Sequence, residues 1–308
     1  MTTTGSPRRA DFDSFFTCRH ADQFQIDWRA FYTAAQERTE RVRARWPHEL
    51  DISYGPNVRQ RLDLYYPESA PSSSSSDPGR AVFLFLHGGG FREGDPALYG
   101  YLAEPYLKRG IVFGSLGYRL TPEAYLPDSV RDVEDALAWC YSNLGARGGD
   151  PSRIALAGHS AGAILTANVA FRSDWLAARG LPADLLKAAV PISGVYDFSD
   201  PTGHTEFFAN DADRAACTPL FNVTTTPAAC VVAYGSLESR PDYGEDSRRL
   251  VDAIRARGGT ADLLLLEPLD HADTVNALAD EASPLFQSVT ALPIVARTKL
   301  LDASGGRA

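Results

Sequence analysis

Six short apolar runs punctuate the chain: Ala81–Leu86, Ile111–Leu116, Arg153–Ala157, Ala188–Ser193, Ala229–Tyr234 and Ala261–Leu266. Runs of this length between turn residues read as strands buried on both faces. Helical periodicity fills the gaps. Asp128 to about Leu144 sets Val130, Val133, Leu137, Tyr141 and Leu144 on one stripe, and Asp242–Arg257 ends at Gly258-Gly259, a suitable C-terminal cap. Strand alternating with helix predicts an α/β fold, a mostly parallel central sheet with helices on both faces. Upstream, Leu50–Ser53 and Gln60–Tyr65 flank the turn signal Gly55-Pro56-Asn57 and predict an antiparallel hairpin at one sheet edge.

At 308 residues the chain allows one large domain or two small ones. The run Pro71–Gly79 is Ser-rich but too short, and too far inside the strand pattern, for a domain linker. Residues 50–308 therefore read as one domain. Residues 1–49 form a helical cap or lead-in, with aromatic residues on a helical period around Phe24–Tyr32 and Pro47 as the stop.

Thirty Lys+Arg against thirty-nine Asp+Glu give a formal charge of −9. Such a chain repels phosphate backbones and anionic lipid unless it carries a basic patch. The Arg-rich stretch Arg38–Arg45 has Glu40 interleaved and reads as a solvated helix face. Neither nucleic acid nor membrane is expected as a partner. No run approaches the ~20 apolar residues of a membrane span, and the N-terminus lacks a signal peptide's apolar core, so a cytoplasmic location is expected. Cys18, Cys140, Cys217 and Cys230 are widely spread and read as reduced thiols. Six histidines without HxH or HExxH spacing give no metal site, and no cofactor is expected. Oligomeric state stays open, a homodimer included.

The chemistry is concentrated in two glycine-rich turns. Gly158-His159-Ser160-Ala161-Gly162 fits G-x-S-x-G, follows an expected strand and opens a helix at Ala161. A serine on that sharp turn is presented at the C-terminal edge of the sheet, next to an amide at a helix start. His87-Gly88-Gly89-Gly90 follows the strand Ala81–Leu86 directly. Backbone N–H groups there can face a cleft unobstructed, as stabilisation of a developing oxyanion requires. A dinucleotide or phosphate loop is excluded, since neither G-x-G-x-x-G nor a following lysine is present.

A serine hydroxyl needs a base, and a histidine after a late strand fits. His271 stands just beyond Ala261–Leu266. His204 sits in a polar Pro/Gly segment and fits badly, and His159 is expected to point elsewhere from its turn. For the carboxylate that orients the imidazole, Glu238 follows the strand Ala229–Tyr234. Asp197 is the rival, Asp242, Glu245 and Asp246 suit a helix start, and Asp270 suits a helix cap. The order Ser160, Glu238, His271 is that of an α/β-hydrolase.

These residues resemble the hormone-sensitive-lipase-type α/β-hydrolases over roughly residues 50–290. Asp51-Ile-Ser-Tyr-Gly55, Leu62-Asp-Leu-Tyr-Tyr-Pro67, Gly117-Tyr-Arg-Leu-Thr-Pro122 and Ile192-Ser-Gly-Val-Tyr-Asp197 extend the likeness. Within the group the pattern is similar to the kynurenine-formamidase-like branch, through the helical lead-in and Asp270-His271-Ala272-Asp273. It departs from that branch at Gly90-Phe91, where a pair of aromatics is usual, and at Glu238, where aspartate is usual. The resemblance implies an α/β-hydrolase fold with a small cap, and an oxyanion hole formed by Gly88, Gly89 and Ala161. It implies a serine esterase for small carboxylic esters, or alternatively an arylformamidase; a small-molecule ester or amide is the expected partner. A binding protein on a hydrolase fold would typically have lost one of the three side chains. Phe15, Phe16, Phe24, Trp28, Phe31 and Tyr32, with Tyr196, Phe198, Phe207, Phe208 and Phe221 of the insertion Val195–Pro227, are candidate pocket residues that core packing would explain equally well.

Overall fold

A computed structural model describes residues 26–68, 79–240 and 242–296. Along the chain run α1 (Trp28–Arg45), β1 (His48–Ser53), β2 (Arg61–Tyr65), β3 (Arg80–Leu86), α2 (Glu104–Leu107), β4 (Val112–Leu116), α3 (Leu126–Asn143) and β5 (Gly149–His159). Then come α4 (Ala161–Ala170), α5 (Asp174–Ala178), β6 (Leu186–Ile192), α6 (Asp211–Ala216) and β7 (Ala229–Gly235). The chain continues through α7 (Asp242–Ala256), β8 (Ala261–Leu266), α8 (His271–Asn276), α9 (Pro284–Ala291) and α10 (Pro293–Ala296). Cys18, Phe15, Phe16, Phe24 and the serines of 71–76 lie outside the described residues.

One eight-stranded sheet has the order β1-β2-β4-β3-β5-β6-β7-β8. The β1–β2 hairpin pairs antiparallel, and β2 pairs antiparallel with β4, while β4, β3, β5, β6, β7 and β8 pair in parallel. Alternation along each strand splits the core in two. Leu84, Leu86 and Leu156 face α3, α4 and α7 through Val133, Leu165 and Leu250. Phe83, Phe85 and Ala157 face the opposite layer, where Tyr32 and Val42 of α1 and Phe286 of α9 pack. This is the α/β-hydrolase fold.

The structure departs from the sequence reading in three places. β8 is an edge strand, so its outer residues stay in water: Leu265 is 47% exposed. On α3 the stripe loses Tyr141, which faces solvent, and the helix opens at Leu126. The Arg38–Arg45 stretch is not uniformly solvated. Arg43 is buried against the sheet, donating to Asp63 Oδ2 (3.3 Å), Tyr65 Oη (3.3 Å) and the Ala97 carbonyl (3.0 Å) as well as to Glu40 (2.7 Å). A long guanidinium arm on α1 can reach the sheet where a shorter side chain would leave Asp63 unanswered.

Together with Thr39, whose hydroxyl donates to the Leu98 carbonyl (3.0 Å) and accepts from the Tyr101 amide (3.0 Å), Arg43 fixes α1 against the body of the protein.

Candidate active site

β5 ends at His159, and Ser160 carries the turn into α4 with φ 55 and ψ −117. That left-handed backbone is strained for a serine. It is sustained by the Ser160 amide donating to the Ile192 carbonyl (2.9 Å) and by two close approaches. A Cβ on Gly158 would lie 2.1 Å from the Gly162 carbonyl oxygen, and one on Gly162 would lie 2.1 Å from that of Leu86. Only glycine fits either position, because the obstacle is backbone. Ala161 is the first residue of α4, so its N–H has no acceptor within its helix.

His271 opens α8, beyond β8. Asp270 caps that helix as expected, its Oδ1 accepting from the amides of Ala272 and Asp273 (2.9 Å each). The Ser160 hydroxyl lies 3.0 Å from His271 Nε2, and Glu238 Oε2 lies 3.4 Å from His271 Nδ1. Ser160, Glu238 and His271, singled out separately along the chain, are brought into one line. Asp197 is elsewhere, paired with Arg249 at 2.8 Å. Asp242 is taken by Arg240, and Asp246 accepts from the Tyr196 and Asp197 amides.

Glu238 is itself held. Its Oε1 accepts from the Gly235 amide (3.0 Å) and from the Ser193 hydroxyl. His159 does not point away from the site. It is buried beside His271, with the ring centroids 4.7 Å apart, and its Nε2–H donates to the His271 carbonyl (2.8 Å). The Thr274 hydroxyl donates to the same carbonyl (2.9 Å). Burial, with the neighbouring His271 adding to it, keeps His159 well below the ordinary imidazole range, so it is neutral. It acts on the backbone of His271 and makes no bond to Ser160.

These groups open into a cavity of about 140 Å³. Gly88, Gly89, Gly90 and Ala161 line it beside Ser160. Rings of Trp28, Phe31 and Tyr32 from α1, Phe91, Phe207 and Tyr243 make much of the wall. Of the other aromatic candidates, Tyr196, Phe198 and Phe208 belong to the core and Phe221 faces solvent, 64% exposed. His204 does reach the cavity, its Nε2 accepting from Arg240 (3.4 Å). Burial foremost, then Arg240, lowers its pKa. Sequence reasoning missed Glu93, Ile164, Arg240 and Tyr243. For Tyr243 a signal existed: it lies two residues into the helix that leaves the Glu238 loop. Among the described residues no group of His, Cys, Asp and Glu is placed to hold a metal ion, and no helix is long and apolar enough to cross a membrane.

Residues 83–242 match the family described as alpha/beta hydrolase fold. The chain is 27% identical over 264 residues to a kynurenine formamidase of Danio rerio, covering 82% of this chain and 84% of that protein. It is 27% identical over 244 residues to an isoprenylcysteine alpha-carbonyl methylesterase of Arabidopsis thaliana, covering 72% of this chain and 56% of that longer protein. Among solved structures, the hyperthermophilic esterase of Pyrobaculum calidifontis superposes with a TM-score of 0.64 at 20% identity, covering 85% of this chain and 93% of that one. That last likeness concerns the fold alone.

Proposed function

The chain belongs to the alpha/beta-hydrolase family, and from that premise we propose that it is a serine carboxylesterase cleaving esters of small carboxylic acids through an acyl-enzyme on Ser160. The observation that carries the reading is the 3.0 Å approach of His271 Nε2 to Ser160 Oγ, with Glu238 behind the imidazole. Ser160 Oγ attacks the acyl carbonyl while His271 Nε2 takes its proton. Glu238 holds the ring through Nδ1–H and stabilises the imidazolium. Negative charge on the former carbonyl oxygen is met by the amides of Gly88, Gly89 and Ala161. His271 then gives its proton to the departing alkoxide oxygen. Water, deprotonated by the same imidazole, attacks the acyl-enzyme and releases the acid and Ser160. Residues 1–49 act as a lead-in whose helix α1 walls the cleft with Trp28, Phe31 and Tyr32.

A second reading keeps these steps and changes the bond to an aryl formamide. The formamidase similarity across most of the chain favours it, and the aromatic wall suits an aryl group. Ser160→Ala, assayed on short-chain p-nitrophenyl esters and on N-formylkynurenine, tests both. We expect turnover to fall on the order of 10⁴-fold or more on the true substrate class. A variant that keeps its full rate on both substrates would sink the assignment, and the wild-type ratio of kcat/KM decides between ester and formamide.

A further inference from the structure

The Tyr243 ring lies almost parallel to the His271 imidazole, centroids 4.9 Å apart and planes inclined by 18°. Its phenol shares a side-chain hydrogen bond with the Ser160 hydroxyl. Because the Ser160 proton points to His271 Nε2, the phenol O–H is the donor and Ser160 Oγ the acceptor. Tyr243 lines the cavity, yet its side chain is nearly withdrawn from solvent. The same connection that carries Glu238 out of β7 returns through the first turn of α7 to bring Tyr243 over the ring that Glu238 holds at its edge. His271 is therefore gripped on three sides: edge-on by Glu238, face-on by Tyr243 and by the edge contact of Trp28 at 6.3 Å.

We propose that Tyr243 is a further catalytic residue of this site, a hydrogen-bond donor to the nucleophilic oxygen and an aromatic platform for the imidazole. The inference rests on the serine-hydrolase reading above. Both contacts strengthen as reaction proceeds. As the proton leaves Ser160, Oγ gains negative charge and the phenol bond becomes charge-assisted. At the same moment His271 becomes a cation over the negative face of the phenol ring. Interactions that grow between ground state and transition state raise kcat, whereas uniform ones lower only KM. Burial pushes the phenol above its usual pKa range, so it stays a neutral donor at any working pH and does not compete with His271 as base.

Tyr243→Phe removes one oxygen and keeps the ring, and Tyr243→Leu removes both contacts. The readouts are the burst-phase acylation rate with p-nitrophenyl acetate and the rate of Ser160 labelling by a fluorophosphonate. We expect acylation about tenfold slower in Tyr243→Phe, with KM unchanged, and roughly a hundredfold slower in Tyr243→Leu. A merely structural tyrosine would disturb KM and the thermal midpoint instead. Tyr243→Phe acylating at the wild-type rate overturns the proposal, as does a loss confined to KM. If the wild type itself gives neither a burst nor Ser160 labelling, the serine-hydrolase reading has failed instead.

Discussion

Arg43 offers a way to separate charge from packing at the joint between α1 and the sheet. In Arg43→Met the apolar stem is kept and the guanidinium is lost, leaving the Asp63 carboxylate, 2% exposed, without its cation. Burial lifts the Asp63 pKa from 3.8 to about 6, with Arg43 pulling against that rise without cancelling it. The folded carboxyl thus holds its proton more tightly than the unfolded one. Its contribution to stability is full below 3.8 and is lost as pH rises through about 6, a difference of about 3 kcal/mol. Without Arg43 the folded pKa climbs further, so the loss extends to higher pH. Breaking a buried pair by removing one partner costs about 3–5 kcal/mol. We expect a deficit near that size in urea denaturation at pH 8, shrinking to about 1–2 kcal/mol at pH 5, where Asp63 is protonated in both proteins. An equal deficit at the two pH values would refute the reasoning.

Two further outcomes follow from the cleft. Glu238→Gln should lower kcat on the order of 10³- to 10⁴-fold by favouring the wrong imidazole tautomer, while Asp197→Asn, tied up with Arg249, should stay within about twofold of the wild type; steady-state kinetics of the pair distinguishes the two carboxylates. Arg214 donates to the carbonyls of Asp200 (3.0 Å), Gly203 (2.7 Å) and Pro201 (3.3 Å), pinning the loop that brings His204 and Phe207 to the cavity. Arg214→Met should raise KM several-fold and leave the fluorophosphonate labelling rate of Ser160 within about twofold, because the nucleophile stands on a different element.

The parallel sheet was legible because buried strands must be short apolar runs, and β3 to β7 have no other way to be written. β8 followed the same pattern in sequence, but whether a strand ends a sheet depends on what fails to pair with it. The G-x-S-x-G turn was legible because backbone contacts at Gly158 and Gly162 admit no other residue. Ser160, His271 and Glu238 could be selected from topology alone, since each follows a strand end at the same rim. Tyr243, Glu93 and Arg240 could not. Their types are ordinary for a helix start or a loop, and only the folded path of the chain turns them inward. His159 illustrates the same limit: a turn residue can face several ways, and the partner that captures it, the His271 carbonyl, lies 112 positions away.

The attachment of α1 has a practical consequence. Its inner turns, through Thr39 and Arg43, do the holding, while its opening turn presents Trp28, Phe31 and Tyr32 to the cavity. Anchor and template are thus written in different letters of one helix. Selectivity can be rewritten at the first turn while the register of the helix on the sheet is left alone. A library confined to positions 28 and 31 explores substrate preference from a fixed mount, a division of labour that loops around a cleft rarely offer.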